Sequence, residues 1–199
     1  MAGARADGGD QELTPGARRI LEVASELFYR RGIHAVGVDT IAAESGVTKR
    51  TLYDRFGSKD GLLLAYLHRL DRRWRGLVAA RLEAAGDDPV RRVLAPFEAL
   101  PEWMDESDRG CGLVNAFAEL PEPDHPGHRI IVDEKKWLRS HFEQELEEGG
   151  AERPEELAVL LLSLHEGALV SNAVAEATSA ADVALSTAKS LVTSALQGD

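Results

Sequence analysis

Cysteine is almost missing: the 199 residues include only Cys111. A lone thiol closes no internal disulfide and builds no cysteine-based metal site, so the fold must stand on its core, and a reducing, cytoplasmic compartment is the expectation. Long apolar runs are scarce too. The most apolar stretch, LAVLLLSL at 157–164, falls well short of the roughly 20 residues that a membrane-spanning helix needs. The opening MAGARADGGDQELTPG carries no hydrophobic signal core, so neither export nor membrane contact is expected. Gly-rich phosphate loops, GxSxG elbows and HExxH helices are lacking, which argues against an enzyme and against a bound cofactor. HPGH offers His125 and His128 without a third ligand nearby, so no metal is expected.

Alternation with a period of two is also lacking, and nearly every segment repeats at three and four residues instead. The chain should therefore be all-α. Its size allows roughly 70% of the unfolded surface to be buried. Helix 1 starts at Pro15 and stops at Gly32, with Ile20, Leu21, Ala24, Leu27 and Phe28 on one face. Helices over 38–45 and 49–55 are separated by Gly46. Ser58 caps a fourth helix whose stripe is Leu63, Leu67, Leu70, Trp74 and Leu77, ending at Gly86. Pro89 opens helix 5, 112–120 form helix 6, 128–148 form helix 7, Pro154 opens helix 8, and helix 9 carries Leu185 to Leu196. Three regions are expected: a disordered tail at 1–14 and helical regions at 15–60 and 61–199.

Charge is divided unevenly along this plan. The net charge is −11, yet residues 16–75 hold 12 Lys and Arg against 7 Asp and Glu. A basic patch on an acidic protein suggests one face meant for an anion.

The segment VDTIAAESGVTKRTLYDRFGSK at 38–59 locates that face. Two short helices cross steeply only if the crossing side chains are small and the turn tolerates a left-handed backbone, and Ala42 and Gly46 stand at those places. Ile41, Val47 and Leu52 supply the apolar contacts. This is a helix-turn-helix, whose second helix enters a DNA major groove. Thr48 is its N-cap, and Lys49, Arg50, Thr51, Tyr53 and Arg55 follow. Arg and Lys donate to guanine N7 and O6, and a threonine methyl packs on thymine. Thr40, Tyr53 and Lys59 stand where hydroxyls, an ammonium and backbone amides hold phosphates.

With ILEVASELFYRRG, IAAESGV and TKRTLYDRFGSKDGLL in place, residues 17–67 resemble the DNA-binding domain of the TetR (tetracycline repressor) family. The resemblance implies that Thr40, Thr48, Lys49, Arg50, Thr51, Tyr53, Arg55 and Lys59 touch DNA. Two departures stand out: Gly37 replaces a helix 2 cap, and Gly61 replaces an acidic residue that completes the cap of helix 4.

The resemblance further implies a C-terminal helical domain with a small-molecule cavity and dimerisation through the last two helices. Small residues beside apolar ones on helices 8 and 9 suit a four-helix bundle about a two-fold axis. Residues pairing bulk with a polar handle are the expected cavity lining: Phe97, Trp103, Asn115, Phe117, Trp137, His141, His165 and Asn172. Asn115 and Glu119, one turn apart on helix 6, are expected to satisfy each other or a helix end. The expected protein is a homodimeric regulator that binds a palindromic double-stranded operator and is released by a small, largely apolar effector. The rival reading is an all-α sensor or carrier without operator recognition.

Overall fold

A computed structural model describes residues 13–105 and 108–197, and among these there are helices and no strand. The elements run α1 (Pro15–Arg31), α2 (Val38–Ser45), α3 (Lys49–Phe56), α4 (Lys59–Ala85), α5 (Pro89–Asp105), α6 (Gly112–Glu119), α7 (Pro126–Glu148), α8 (Pro154–Val174) and α9 (Ala180–Gln197). Local chemistry sets most of their ends. Thr14 accepts from the Ala17 amide at 3.4 Å, and Ser58 Oγ accepts from the Gly61 amide at 2.9 Å. Pro15, Pro126 and Pro154 open their helices, where a missing N–H costs nothing.

Residues 1–12 of the expected tail lie outside the described residues. Leu13 and Thr14 do not belong to a tail: Leu13 packs on the core and Thr14 caps α1. Helix 7 begins two residues earlier than periodicity suggests, because His125 is its N-cap, with Nδ1 accepting from the Gly127 amide at 3.0 Å. Helix 5 runs past Pro101 to Asp105, since Trp103 is buried and holds that last turn on the core. Gly61 has a steric reason: a Cβ there would fall 2.0 Å from the Phe56 carbonyl oxygen. The cap is completed by Ser58 alone, and a larger residue would have to move the α3–α4 turn.

One apolar core runs through the molecule, with α4 as its axis. Its buried residues are Leu62, Leu63, Tyr66, Leu67, Trp74, Val78 and Ala85. Leu70 and Leu77 of the expected stripe are only half-buried, because α4 is enclosed on more than one side and the buried positions spread around it. Tyr66 meets Phe28 of α1 at 5.7 Å between ring centroids, and Trp74 meets Trp103 of α5 at 5.4 Å and His165 of α8 at 5.3 Å. Between α5 and α7, Arg92 grips Glu145 with two hydrogen bonds of 2.6 and 2.7 Å. Helix α8 passes the length and composition test for a membrane span, with a mean hydropathy of 1.6. The run 157–164 supplies most of that mean, and His165, Glu166 and Asn172 interrupt the apolar sequence beyond it.

Two histidines in this interior make stability depend on pH. Burial pushes His141 and His165 below the usual imidazole range, against the pull of Glu145 and Glu166. The unfolded chain takes up these protons near pH ~6.5, whereas the folded one resists them. Stability present above that pH is therefore lost as the pH falls below it. The urea midpoint should be lower at pH 5.5 than at 7.5, and the drop should shrink in His141→Phe. An unchanged pH dependence in that variant would contradict the assignment.

Candidate nucleic-acid interface

The α2–α3 unit is held by apolar contacts on its inner side and by an exposed ion pair of 3.1 Å between Glu44 and Arg31 of α1. Ile41, Ala42 and Leu52 are buried. Gly46 takes the left-handed conformation, φ 70° and ψ 26°, that the tight turn requires. Val47 N–H closes the turn on the Ala42 carbonyl at 3.0 Å, and Ser45 Oγ donates to the Ile41 carbonyl at 2.6 Å. Thr48 Oγ1 accepts from the Thr51 amide at 3.2 Å and lies 2.9 Å from the Thr51 hydroxyl. Leu52 is the one buried residue of α3. Packing thus buries Leu52, half-buries Phe56 against the core and leaves Lys49, Arg50, Tyr53, Asp54 and Arg55 facing water.

The eight expected DNA-contacting residues share one region but not one state. Thr48, Lys49, Arg50, Tyr53 and Arg55 are exposed, while Thr40, Thr51 and Lys59 are half-buried. The Arg50 side chain is 90% exposed, 3.8 Å from Asp54, and Lys49 pairs with Asp39 of α2. Lys59 differs most from expectation. Its ammonium donates to the Ile33 carbonyl at 2.6 Å, so it ties the start of α4 to the α1–α2 loop. Its remaining donors are what a phosphate could use.

That loop is held from a second direction, by a residue whose partners the sequence does not reveal. The Glu119 carboxylate at the end of α6 accepts from the Ile33 and His34 amides, both at 3.0 Å, and the His34 ring lies 2.7 Å from the Glu119 carbonyl oxygen. Asn115 and Glu119 do not meet; Asn115 donates to the Arg109 carbonyl at 2.9 Å. Around them Tyr29 bridges the Arg109 amide and the Gly110 carbonyl, and Arg30 pairs with Asp108 at 3.1 Å.

The expected cavity lining is dispersed. Phe97, Trp103 and His165 gather around Trp74. Trp137 and His141 stack on each other at 6.1 Å, and Arg75 lies over Trp137 at 4.3 Å. Phe117 is exposed and touches His128 at 4.6 Å; Asn172 is half-buried on α8. Phe117 borders a groove of about 450 Å³ shared by α6, α7 and α8, lined also by Ile131, Leu162, Lys135 and Glu166. Inside it, Lys135 reaches Glu166 at 2.9 Å, Glu134 at 3.1 Å and Cys111 Sγ at 3.7 Å. Burial works against that ammonium, but Cys111, Glu134 and Glu166 outweigh it and raise its pKa. Burial likewise opposes the Glu166 carboxylate, yet His165 and Lys135 hold its pKa down at about 2.

Comparisons with known proteins agree on a kind of molecule. A family model described as bacterial regulatory proteins, tetR family, matches residues 20–66. The fold is similar to that of a TetR-family transcriptional regulator from Streptomyces coelicolor, with a TM-score of 0.84 and 30% identity over 91% of this chain and 96% of that one. The HTH-type transcriptional repressor DhaR of a Mycobacterium species is 28% identical over 79% of this chain and 82% of its own length. The HTH-type transcriptional activator FasR of Mycolicibacterium smegmatis is 36% identical over 58% of this chain, and the match spans only 44% of that protein.

Removing the Glu119 carboxylate should loosen the α1–α2 loop without unfolding the core. In Glu119→Ala the Ile33 and His34 amides should exchange with solvent at least tenfold faster, read by hydrogen exchange, while the Leu52 amide keeps its protection. Unchanged exchange at both would show that Glu119 does not hold the loop.

Proposed function

The chain belongs to the TetR family of DNA-binding transcriptional regulators, and from that premise we propose that it acts as a homodimeric repressor released from a palindromic operator by a small, largely apolar molecule. The observation that carries the operator reading is the outward face of α3. A helix that buries Leu52 and turns Lys49, Arg50, Tyr53 and Arg55 to solvent, with Thr51 half-buried among them, suits a major groove better than any protein interior. In this reading Lys49 leaves Asp39 for a base edge or phosphate, and Arg50 is free to fork onto a guanine.

Support for the dimer is the outer side of α8 and α9. Val159, Leu160, Val170, Val174 and Val183 are exposed there, Val174 to 78%. An apolar face of this extent favours a partner, and a second copy of the same two helices answers it about a two-fold axis. The two α3 helices would then stand about 34 to 36 Å apart, one turn of DNA.

Release requires an effector that prefers a different arrangement of head and body, since only differential affinity shifts an equilibrium. A tenfold loss of operator affinity needs about 1.4 kcal/mol of coupling. Two links are available to carry it: α4, which runs from the head into the core, and the Glu119 clamp from α6 onto Ile33 and His34. A ligand that shifts α6 would pull on that loop.

DNA binding tests these assignments. Lys49→Ala with Arg50→Ala should abolish the preference for operator over random sequence in gel-shift titrations. Full discrimination in that double variant would refute their reading role. Lys59→Ala should weaken all sequences alike and flatten the salt slope by about one. No shift of the DNA upstream of its own gene, even at low salt, would favour the carrier instead.

A further inference from the structure

Enclosed by α4 to α8 is a void of about 10 Å³, bordered by Trp74, Trp103, Glu134, Lys135 and His165 among others. That is room for about one water-sized group. Two of these residues carry a buried polar atom with no hydrogen-bond partner, Trp74 Nε1 and His165 Nε2, and a third, Glu134 Oε2, is met by Lys135 alone at 3.1 Å. The residues themselves are 3%, 1% and 1% exposed. Buried polar atoms are normally paired, so the indole N–H and the imidazole nitrogen at this void offer bonds to a water or to a ligand hydroxyl that takes its place.

Their chemistry specifies that group. An indole N–H only donates. His165 Nδ1 lies 3.2 Å from Glu166 Oε1. A carboxylate accepts there, so Nδ1 carries the proton and Nε2 presents a lone pair; burial keeps the ring neutral. Glu134 Oε2, ion-paired with Lys135 Nζ at 3.1 Å, becomes a second acceptor when Lys135 turns aside. A group in the void must accept from Trp74 and donate to an acceptor. A hydroxyl does both with a single heavy atom. A carboxylate has nothing to donate, and an ammonium leaves the indole unpaired.

The void does not stand alone. Lys135 borders both it and the groove of about 450 Å³ at α6, α7 and α8, a size usual for small-molecule sites. The groove wall is largely Val114, Phe117, Ile131 and Leu162. Lys135, held by Glu166 at 2.9 Å, forms the partition between them. We propose that the effector is a neutral alcohol or phenol whose hydroxyl fills the void between Trp74, Glu134 and His165 and whose apolar body lies in the groove, with Lys135 turned aside. This rests on the reading of the protein as a ligand-released regulator. It attaches the ligand to α4 through Trp74 and to α6 through Val114 and Phe117, the two links to the DNA-binding head.

The full chain at pH 7 can be titrated calorimetrically with 2-naphthol, its methyl ether 2-methoxynaphthalene and 2-naphthoate, beside operator-release assays with the same three probes. The expected result is at least tenfold tighter binding of 2-naphthol than of either analogue. Trp74→Phe should weaken 2-naphthol at least tenfold and leave the ether unaffected; Glu134→Gln repeats the comparison if Trp74→Phe does not fold. Equal affinities for naphthol and ether, a preference for naphthoate, no binding by any probe, or a crystal structure with 2-naphthol showing only water in the void would each overturn the proposal. Operator release by the ether or the carboxylate would keep the ligand-released reading and sink the hydroxyl. Selective naphthol binding with the operator complex unchanged would keep the site and sink the release.

Discussion

Helix α4 is a single rigid rod shared by everything else. Its first turns bury Leu62, Leu63, Tyr66 and Leu67, with Tyr66 against Phe28 of α1, and its later turns bury Trp74 and Val78, with Trp74 against Trp103 and His165. Close-packed interiors do not deform gradually. A change of packing at Trp74 therefore reaches Tyr66, and through it the three short helices that α4 supports. This continuity joins the interior around Trp74 to the helices α1 to α3 at the other end of α4.

The helical head is poor in core of its own, and this makes the polar ties around it important. Helix α2 buries Ile41, Ala42 and Ser45, and α3 buries Leu52. The α1–α2 loop between them and α1 is held by Lys59 from α4 and by Glu119 from α6. Both ties end on backbone groups, which need partners wherever water is excluded. Such bonds are modest individually, on the order of 1 kcal/mol for a neutral pair and more with a charged partner. They are thus weak enough to exchange and strong enough to bias a head position.

The C-terminal half shows the opposite balance, abundant apolar burial around a small polar cluster. Lys135, Glu134, Glu166 and His165 meet beneath the groove, and the ammonium is shared between two carboxylates and a thiol. Burying charges is costly unless they are paired, and paired charges rarely stabilise more than apolar residues of the same volume. A cluster of this composition holds together only while each of its charges keeps a partner among the others.

Much of this was legible in the residues themselves. Helix starts at Pro15, Ser58, Pro89 and Pro154, stops at Gly32 and Gly86, and the left-handed turn at Gly46 all follow from local chemistry, because capping and backbone freedom act within one turn of chain. The all-α class and the place of α3 as a short helix with an exposed basic face were legible for the same reason. Other features depended on which distant surfaces come together. Lys59 looks like a free phosphate-binding cation until folding places the Ile33 carbonyl 2.6 Å away. Glu119 looks like a partner for Asn115 until it meets amides 85 and 86 positions earlier in the chain. Trp74 reads as one member of an apolar stripe, yet its ring nitrogen joins Glu134 and His165 around a void. Periodicity tells which face of a helix turns inward. Only the packed structure decides what that face meets there, since a side chain's partner is chosen by contacts remote in sequence.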